Sequence, residues 1–532
     1  VASETVNPKL VDSLNSQSLF QRLFLPERAT RVAVLFDHAE ITYQELGDRT
    51  VRVAEALHAS GIGAGDRVAI LLDDSPEFIT SFVAIISLGA IAVPINLALR
   101  QEDQLFILKD CGAGAAIVEA RAADNLFQSS AGQTDVRNLY VVSRAQGSAA
   151  PFTTEGLNAQ DFAGARRTPL SDKFPRADDD ADAFILYTSG STGEPKGAVH
   201  RQSDIFYTNE TFCAEVLGLR EGDRIFSSSR LPFAYGLGNS LTFPLLNGFT
   251  TVLCREKPAP DVVNRVFKEY RPTIFFGVPV VYSMLLDHHR RPGTALDTSS
   301  LRLCVSAGEA LPAQLGEDWQ TTFGVEILDG IGSTEMLHMF ISNHPGDVRY
   351  GSSGKLLEGY DARLIDHEGA ATAPGEAGNL WIRGDSAALR YWQRTETSAE
   401  TFVDGWVRTG DLYRADNEGF WWHMGRSDDC FKPTGQWVSP IEVENVLLRH
   451  EAVHAAAVVE GLDEHGLSCV CAFVVGTDKD AEESLRAFCQ SSLPRFKQPR
   501  RYLFVSELPY TATGKVQRFK LREQLRSQST TS

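Results

Sequence analysis

Residues 187–197 read Tyr-Thr-Ser-Gly-Ser-Thr-Gly-Glu-Pro-Lys-Gly, and no other stretch constrains the chain as strongly. Three glycines (Gly190, Gly193, Gly197) alternate with the hydroxyls of Thr188, Ser189, Ser191 and Thr192, and Lys196 follows. The apolar run Ala183–Tyr187 just before it predicts a short buried strand. A strand that empties into such a loop can hold phosphate. Glycines admit an anion close to the backbone, N–H and O–H groups donate to its oxygens, and lysine adds charge. The P-loop spacing G-x-x-x-x-G-K-[ST] is not met, because Gly197 rather than a hydroxyl residue follows the lysine. Composition alone is equally that of a surface turn; the ordered spacing is what carries information.

A chain of 532 residues exceeds one hydrophobic core, so two or more domains are expected. The net charge of −18 argues against nucleic acid as a partner, and requires any anionic substrate to be met by a few local cations. Eight scattered cysteines and the absence of a leader pattern at Val1–Leu10 imply reduced thiols and a cytoplasmic protein. Cys469 and Cys471 would share one face of a strand as a buried pair, since no second Cys/His pair stands at zinc-site spacing. Phe78–Leu99 carries no charge, but Gly89, Pro94 and Asn96 interrupt it. It reads as helix Pro76–Leu88 and strand Ala90–Ile95 after strand Arg67–Leu72, a buried βαβ unit rather than a membrane span.

The same alternation continues, with strands at Arg224–Ser227, Thr250–Cys254, Thr273–Phe276, Leu301–Val305 and Val325–Leu328 and a helix around Val280–His288. Residues 121–182 read as loops around short elements. Beyond about Asp428 the texture changes to a small α+β unit: helix Pro440–Arg449, strands Val453–Val459 and Ser468–Val475, and helix Glu482–Cys489. The expected fold is therefore α/β, with a large multi-layer N-terminal α/β domain (1–427) and a small C-terminal α+β domain (428–532).

Four further strings stand in order along the chain: Ser306-Ala-Gly-Glu-Ala310, Asp329-Gly-Ile-Gly-Ser-Thr-Glu335, Thr409-Gly-Asp411 with Gly425-Arg-Ser-Asp428, and Pro509-Tyr-Thr-Ala-Thr-Gly-Lys-Val-Gln-Arg518. Each is weak alone; a helix start, a bend or a surface loop would produce it. With Thr188–Gly197 they resemble, in order and over nearly the whole chain, the motifs of the adenylate-forming enzymes: acyl-CoA synthetases, peptide-synthetase adenylation domains and luciferases.

That resemblance implies an ATP site. Thr188, Ser189, Gly190, Ser191, Thr192, Gly193 and Lys196 match its phosphate loop, and Ala307, Gly308 and Glu309 the segment on the adenine ring. Asp329 opens the segment in which Thr334 matches the phosphate-contacting threonine and Glu335 the Mg²⁺-holding glutamate. Asp411 matches the acceptor of the ribose hydroxyls and Arg426 the arginine beside them. Lys515 matches the lysine that reaches the α-phosphate and the substrate carboxylate, where an ammonium stabilises the charge that builds on attack. Asp428 matches the hinge about which the small, mobile domain turns between half-reactions, and Lys432-Pro-Thr-Gly435 the loop lining the pantetheine tunnel.

Leu231-Pro-Phe-Ala-Tyr-Gly-Leu-Gly-Asn239, Phe276–Tyr282 and Ser333–Met339 resemble the acid pocket of benzoate-CoA ligases. The pocket would be lined by Ala234, Tyr235, Gly332, His338 and Met339. No acid stands in the first segment to pair with an α-ammonium, which a buried amino-acid substrate would require. His338 has two readings, a partner for a ring substituent or a core histidine. Met339 is long and adaptable, leaving room for a small substituent such as the amine of 2-aminobenzoate. The resemblance thus implies an AMP-forming ligase that converts benzoate or a small substituted benzoate to its CoA thioester, with ATP, Mg²⁺ and coenzyme A. The rivals are a free-standing enzyme that loads an aryl acid onto a carrier protein, and a catalytically inactive nucleotide-binding relative. A homodimer is compatible with either.

Overall fold

The computed structural model describes residues 18–128, 133–143, 157–170, 180–188, 194–366, 368–427, 429–431, 433, 438–463, 466–476, 481–510 and 516–529. Ser189, Gly190, Ser191, Thr192, Gly193, Asp428, Lys515 and most of Lys432–Gly435 lie outside the described residues.

Two large, mostly parallel sheets dominate residues 18–392. The first has nine described strands and runs Lys355–Leu356, Met339–Ser342, Ile327–Gly332, Leu303–Ser306, Ile274–Gly277, Arg224–Ser227, Thr250–Val252, Val32–Phe36, Ala39–Thr42. The second has eight: Arg390–Tyr391, Lys196–Arg201, Asp182–Thr188, Ile91–Pro94, Arg67–Leu71, Ala115–Glu119, Asn138–Val142, Asn158–Asp161. Five strands expected from sequence fall in the first sheet, four of them within two residues at each end; the fifth, expected at Val325–Leu328, runs on to Gly332.

The uncharged stretch after Asp74 shows how the layers form. Ser75 caps the helix Pro76–Ser87 by accepting from the Phe78 N–H, and Pro76 takes the first helical position, where no N–H is needed. Eleven of the twelve helical residues are buried, so the helix is enclosed on nearly every face. Gly89, at φ +73°, turns the chain into the strand Ile91–Pro94, parallel to Arg67–Leu71. Truncating Phe82, fully buried, to Ala would cost about 3–5 kcal/mol. The segment is a buried βαβ crossover. No helix among the described residues is long and apolar enough to cross a membrane.

A third, antiparallel sheet (Asp361–Ile365, Gly378–Arg383, Trp406–Ala415, Phe402–Val403 and Trp421–Arg426) follows, which the sequence reading did not foresee. The last unit pairs Val453–Leu462 with Ser468–Gly476, and the latter with Arg501–Phe504. The helices Pro440–Leu447 and Glu482–Ser492 supply buried Val443, Leu447, Leu485 and Cys489 to its core. Cys469 and Cys471 are both buried there with sulfurs 3.8 Å apart, as a reduced pair on one strand face.

Candidate active site

The candidate residues gather outside the carboxyl ends of adjacent parallel strands, where an open α/β sheet leaves a crevice. Gly277 pairs with Ser306, and Ser306 with Asp329, so these three residues stand level on adjacent strands, the third of which runs on to Gly332. Each then releases a segment singled out by sequence: Val278–Tyr282, Ala307–Ala310 and Gly330–Glu335. The neighbouring strand Arg224–Ser227 releases the segment Leu231–Asn239 beside them.

The phosphate-loop candidate is flanked by two antiparallel strands. Asp182–Thr188 pairs antiparallel with Lys196–Arg201, Thr188 standing opposite Lys196. Gly197 is required by packing, because a Cβ there would lie 2.6 Å from Ile185 Cγ2 and 2.9 Å from the Tyr187 ring. Tyr187 donates to Asp110 Oδ2 at 2.6 Å, and Arg394 donates to Oδ1 of the same carboxylate at 2.8 Å, which anchors the strand pair.

The Thr334–Met336 turn is fastened to this strand pair. The fully buried His200 faces Asp204 Oδ2 through Nδ1 and the Thr334 carbonyl through Nε2, both at 2.8 Å. Ala388 N–H donates to the Glu335 carbonyl at 2.7 Å, and Ser386 Oγ to that of Met336 at 2.9 Å. The Tyr391 hydroxyl donates to Glu335 Oε1 at 2.6 Å, and burial with the nearby Glu335 charge raises its pKa far above that of an ordinary phenol, so the proton stays on the tyrosine. Among the described residues no cluster of three or more His, Cys, Asp or Glu side chains could cage a metal. A single half-exposed carboxylate does suit Mg²⁺, which takes most of its shell from water and nucleotide phosphate.

Gly308, at φ +95°, turns the chain after buried Ala307. The side chain of Glu309 accepts the Val516 N–H at 3.1 Å, which places the residue following Lys515 against the adenine-segment candidate. Asp411 and Arg426 are cross-strand partners, with Arg426 Nη1 3.4 Å from Asp411 Oδ1 and 2.9 Å from the Thr409 carbonyl; His423 Nε2 also approaches Asp411 at 3.4 Å. Asp329 turns its side chain into the protein, where Oδ2 accepts the Leu311 N–H at 3.3 Å. Burial pushes its carboxyl up to about 8.

The acid-pocket candidates form a compact aromatic group. The Tyr235 hydroxyl points at the carbonyls of Val305 (3.2 Å) and Gly277 (3.4 Å), and its ring meets Phe276 edge-on. Buried His338 sits among the rings of Phe212, Tyr235 and Phe243, with Nε2 at 3.1 Å from Asn239 Oδ1. Burial pushes the imidazole down to about 3, so it is neutral. Nε2 thus has a partner within the protein while Nδ1 is buried without a hydrogen bond, so both readings of His338 stand. Met339 is buried, and its methyl needs Gly330, where a Cβ would lie 2.2 Å from Met339 Cε. Gly332 lies so close to the His338 carbonyl that a Cβ would stand 2.5 Å away. Ala234 is buried at the start of the pocket segment. That segment is held from below: Leu231 N–H donates to Asp74 Oδ1 at 3.0 Å, and Arg230 Nη1 lies 3.5 Å from Oδ2.

Sequence reasoning missed His200, Asp204, Tyr391, Asn239 and Asp74. His200 left a trace, a lone polar residue in the apolar run after Lys196 with an acid four residues on. Tyr391 left none, being 56 residues from its partner.

Comparison with known proteins agrees with this arrangement. Residues 25–392 match the AMP-binding enzyme family, and residues 442–515 match the AMP-binding enzyme C-terminal domain. The chain is 42% identical over 514 residues to the benzoate–CoA ligase of Thauera aromatica, covering 95% of each. It superposes with a TM-score of 0.90 on an anthranilate CoA ligase in complex with anthranoyl-AMP, at 38% identity, covering 97% of this chain and 98% of that one. A benzoate CoA ligase from Burkholderia xenovorans gives 0.85 at 38% identity, with 95% and 100% covered. With the strands flanking the glycine loop, the Thr334 turn, the Asp411–Arg426 pair and the small C-terminal unit all in the family's order, the chain belongs to the AMP-binding, adenylate-forming enzymes, in their benzoate-CoA ligase-like subfamily.

Proposed function

We propose that the chain is an AMP-forming aryl-CoA ligase. A benzoate oxygen attacks the α-phosphorus of ATP, forming the aryl adenylate as pyrophosphate leaves. The coenzyme A thiol then attacks the carbonyl carbon, giving the thioester and AMP. The observation that carries this reading is convergence: the strand pair of Lys196, the turn of Thr334 and Glu335, the Ala307–Glu309 segment and the Val516 contact meet at one crevice beside an apolar aromatic pocket.

The glycine loop would hold the phosphates, Ala307–Glu309 the adenine, and Asp411 with Arg426 the ribose. Lys515 would enter for adenylation and withdraw, by rotation about Asp428 between domains 1–427 and 428–532, for the thiol. Thr334 would contact the nucleotide phosphate and Glu335 would hold its Mg²⁺, which offsets phosphate charge when bound. In the acid pocket, Ala234, Tyr235, Gly332, His338 and Met339 offer neutral and apolar surface to a flat ring, and fixing the acid there supplies the orientation that in-line attack needs. Relatives of known substrate point to benzoate or 2-aminobenzoate. The test is a panel of benzoates with ATP, Mg²⁺ and free coenzyme A, read by AMP release and thioester formation. Adenylation without thioester would overturn coenzyme A as acceptor; no pyrophosphate exchange with any aryl acid would overturn the whole reading.

A further inference from the structure

The Thr334–Met336 turn is over-determined in a particular way. Its three carbonyls are each satisfied by a donor from the second sheet or the chain beside it: His200, Ala388 N–H and Ser386. The backbone is therefore held without Tyr391. What Tyr391 adds is a grip on the Glu335 side chain, at 2.6 Å on Oε1.

Tyr391 is itself tightly placed. It lies in the edge strand Arg390–Tyr391, opposite Ala198 of the strand Lys196–Arg201. Its N–H donates to Ser398 Oγ at 2.9 Å, its ring packs on Phe402 at 5.4 Å between centroids, and Lys196 Nζ stands 5.5 Å from its ring centroid. One aromatic side chain thus touches both a lysine of the second sheet and a glutamate in the turn that follows a strand of the first.

We propose that Tyr391 is a positioning residue for the metal-bound nucleotide: it pins Oε1 of Glu335 so that Oε2 faces the cation in one orientation, with Lys196 held over its ring. This rests on the ligase reading above. An untethered carboxylate would swing or chelate, whereas Mg²⁺ demands near-ideal octahedral geometry and prefers one fixed oxygen. Groups that orient a metal ligand in this way typically contribute roughly 10–100-fold in metal affinity.

The test uses Tyr391→Phe, which keeps the ring and removes only the hydroxyl. Mn²⁺ binding to the protein saturated with a non-hydrolysable ATP analogue is followed by electron paramagnetic resonance. The expected result is Mn²⁺ affinity weakened by about 10-fold or more, with the KM for the aryl acid unchanged. In a Glu335→Gln background the same substitution should weaken Mn²⁺ binding by less than about twofold, since the residue it acts through is gone. Wild-type Mn²⁺ affinity in Tyr391→Phe would overturn the proposal, as would an equal loss in both backgrounds. Failure of the wild type to exchange pyrophosphate with any benzoate would instead sink the ligase reading, so the two failures are distinct.

Discussion

The backbone N–H of Val516 donates to the Glu309 carboxylate across a sequence separation of 207 residues, tying Val516 to the segment that follows the strand Leu303–Ser306. Val516 directly follows Lys515 in the chain, and this contact places Val516 at the crevice in which adenylation is proposed. Lys515→Ala is expected to slow adenylation by about 10²–10³, because an ammonium at phosphorus acts only where charge develops. Thioester formation from supplied aryl adenylate should change far less. Pyrophosphate exchange and single-turnover thiol transfer measure the two steps separately, and equal losses would remove Lys515 from the proposed role.

Asp411 and Arg426 offer a binding prediction. Their strands put them opposite one another, and Arg426 is also fixed on the Thr409 carbonyl, so the carboxylate is pre-oriented. A group that only holds the ribose binds ground and transition states alike, and its loss raises KM while leaving kcat. Asp411→Ala should raise the KM for ATP by roughly 10–100-fold, the worth of charge-assisted hydrogen bonds. A fall in kcat at unchanged KM would place Asp411 in the chemistry instead.

Asp329 gives the molecule a pH signature. Burial holds its carboxyl at about 8, against an ordinary value near 3.8. The folded protein therefore binds a proton between about pH 4 and 8 that the unfolded chain releases, so this group's stabilisation is complete below pH 4 and is lost as pH rises to 8. The slope is at most about 1.4 kcal/mol per pH unit. Asp329→Asn keeps an acceptor for the Leu311 N–H and carries no titratable proton. Urea midpoints measured across this range should fall less steeply for the variant than for the wild type; parallel curves would mean Asp329 is charged in the fold.

The parallel sheets were legible because their strands are buried on both faces and read as apolar runs, Ile274–Gly277 and Leu303–Ser306 among them. The antiparallel sheet was not. Its strand Gly378–Arg383 buries Leu380 and Ile382 but turns Trp381 outward, where Arg363 and Arg408 each lie 4.4 Å from its ring centroid. Arginines that bury their stems on tryptophan make a strand look polar in sequence. The site divides in the same way. Motif residues on one continuous turn, such as Thr334 and Glu335, were readable from local order. Their supports, His200 and Tyr391, arrive from another sheet, and no spacing in the chain announces a contact made by topology.

The acid pocket supports one sharp test. Met339 is buried with its methyl over Gly330, while His338 beside it is neutral and engaged with Asn239, so of the two only Met339 is free to change the pocket's width without breaking a polar contact. Met339→Ile moves bulk toward the backbone through the branched Cβ and withdraws the terminal methyl. The slot beside the ring edge should narrow, and preference should shift toward benzoate over 2-aminobenzoate. A methylene-sized change in such a pocket is worth about 1–3 kcal/mol, so relative kcat/KM should move by roughly tenfold or more. Competition between the two acids at fixed ATP and coenzyme A gives the ratio directly. If the ratio is unchanged while the KM for ATP also holds, Met339 is packing behind the pocket, and discrimination must come from Ala234, Tyr235 or Gly332.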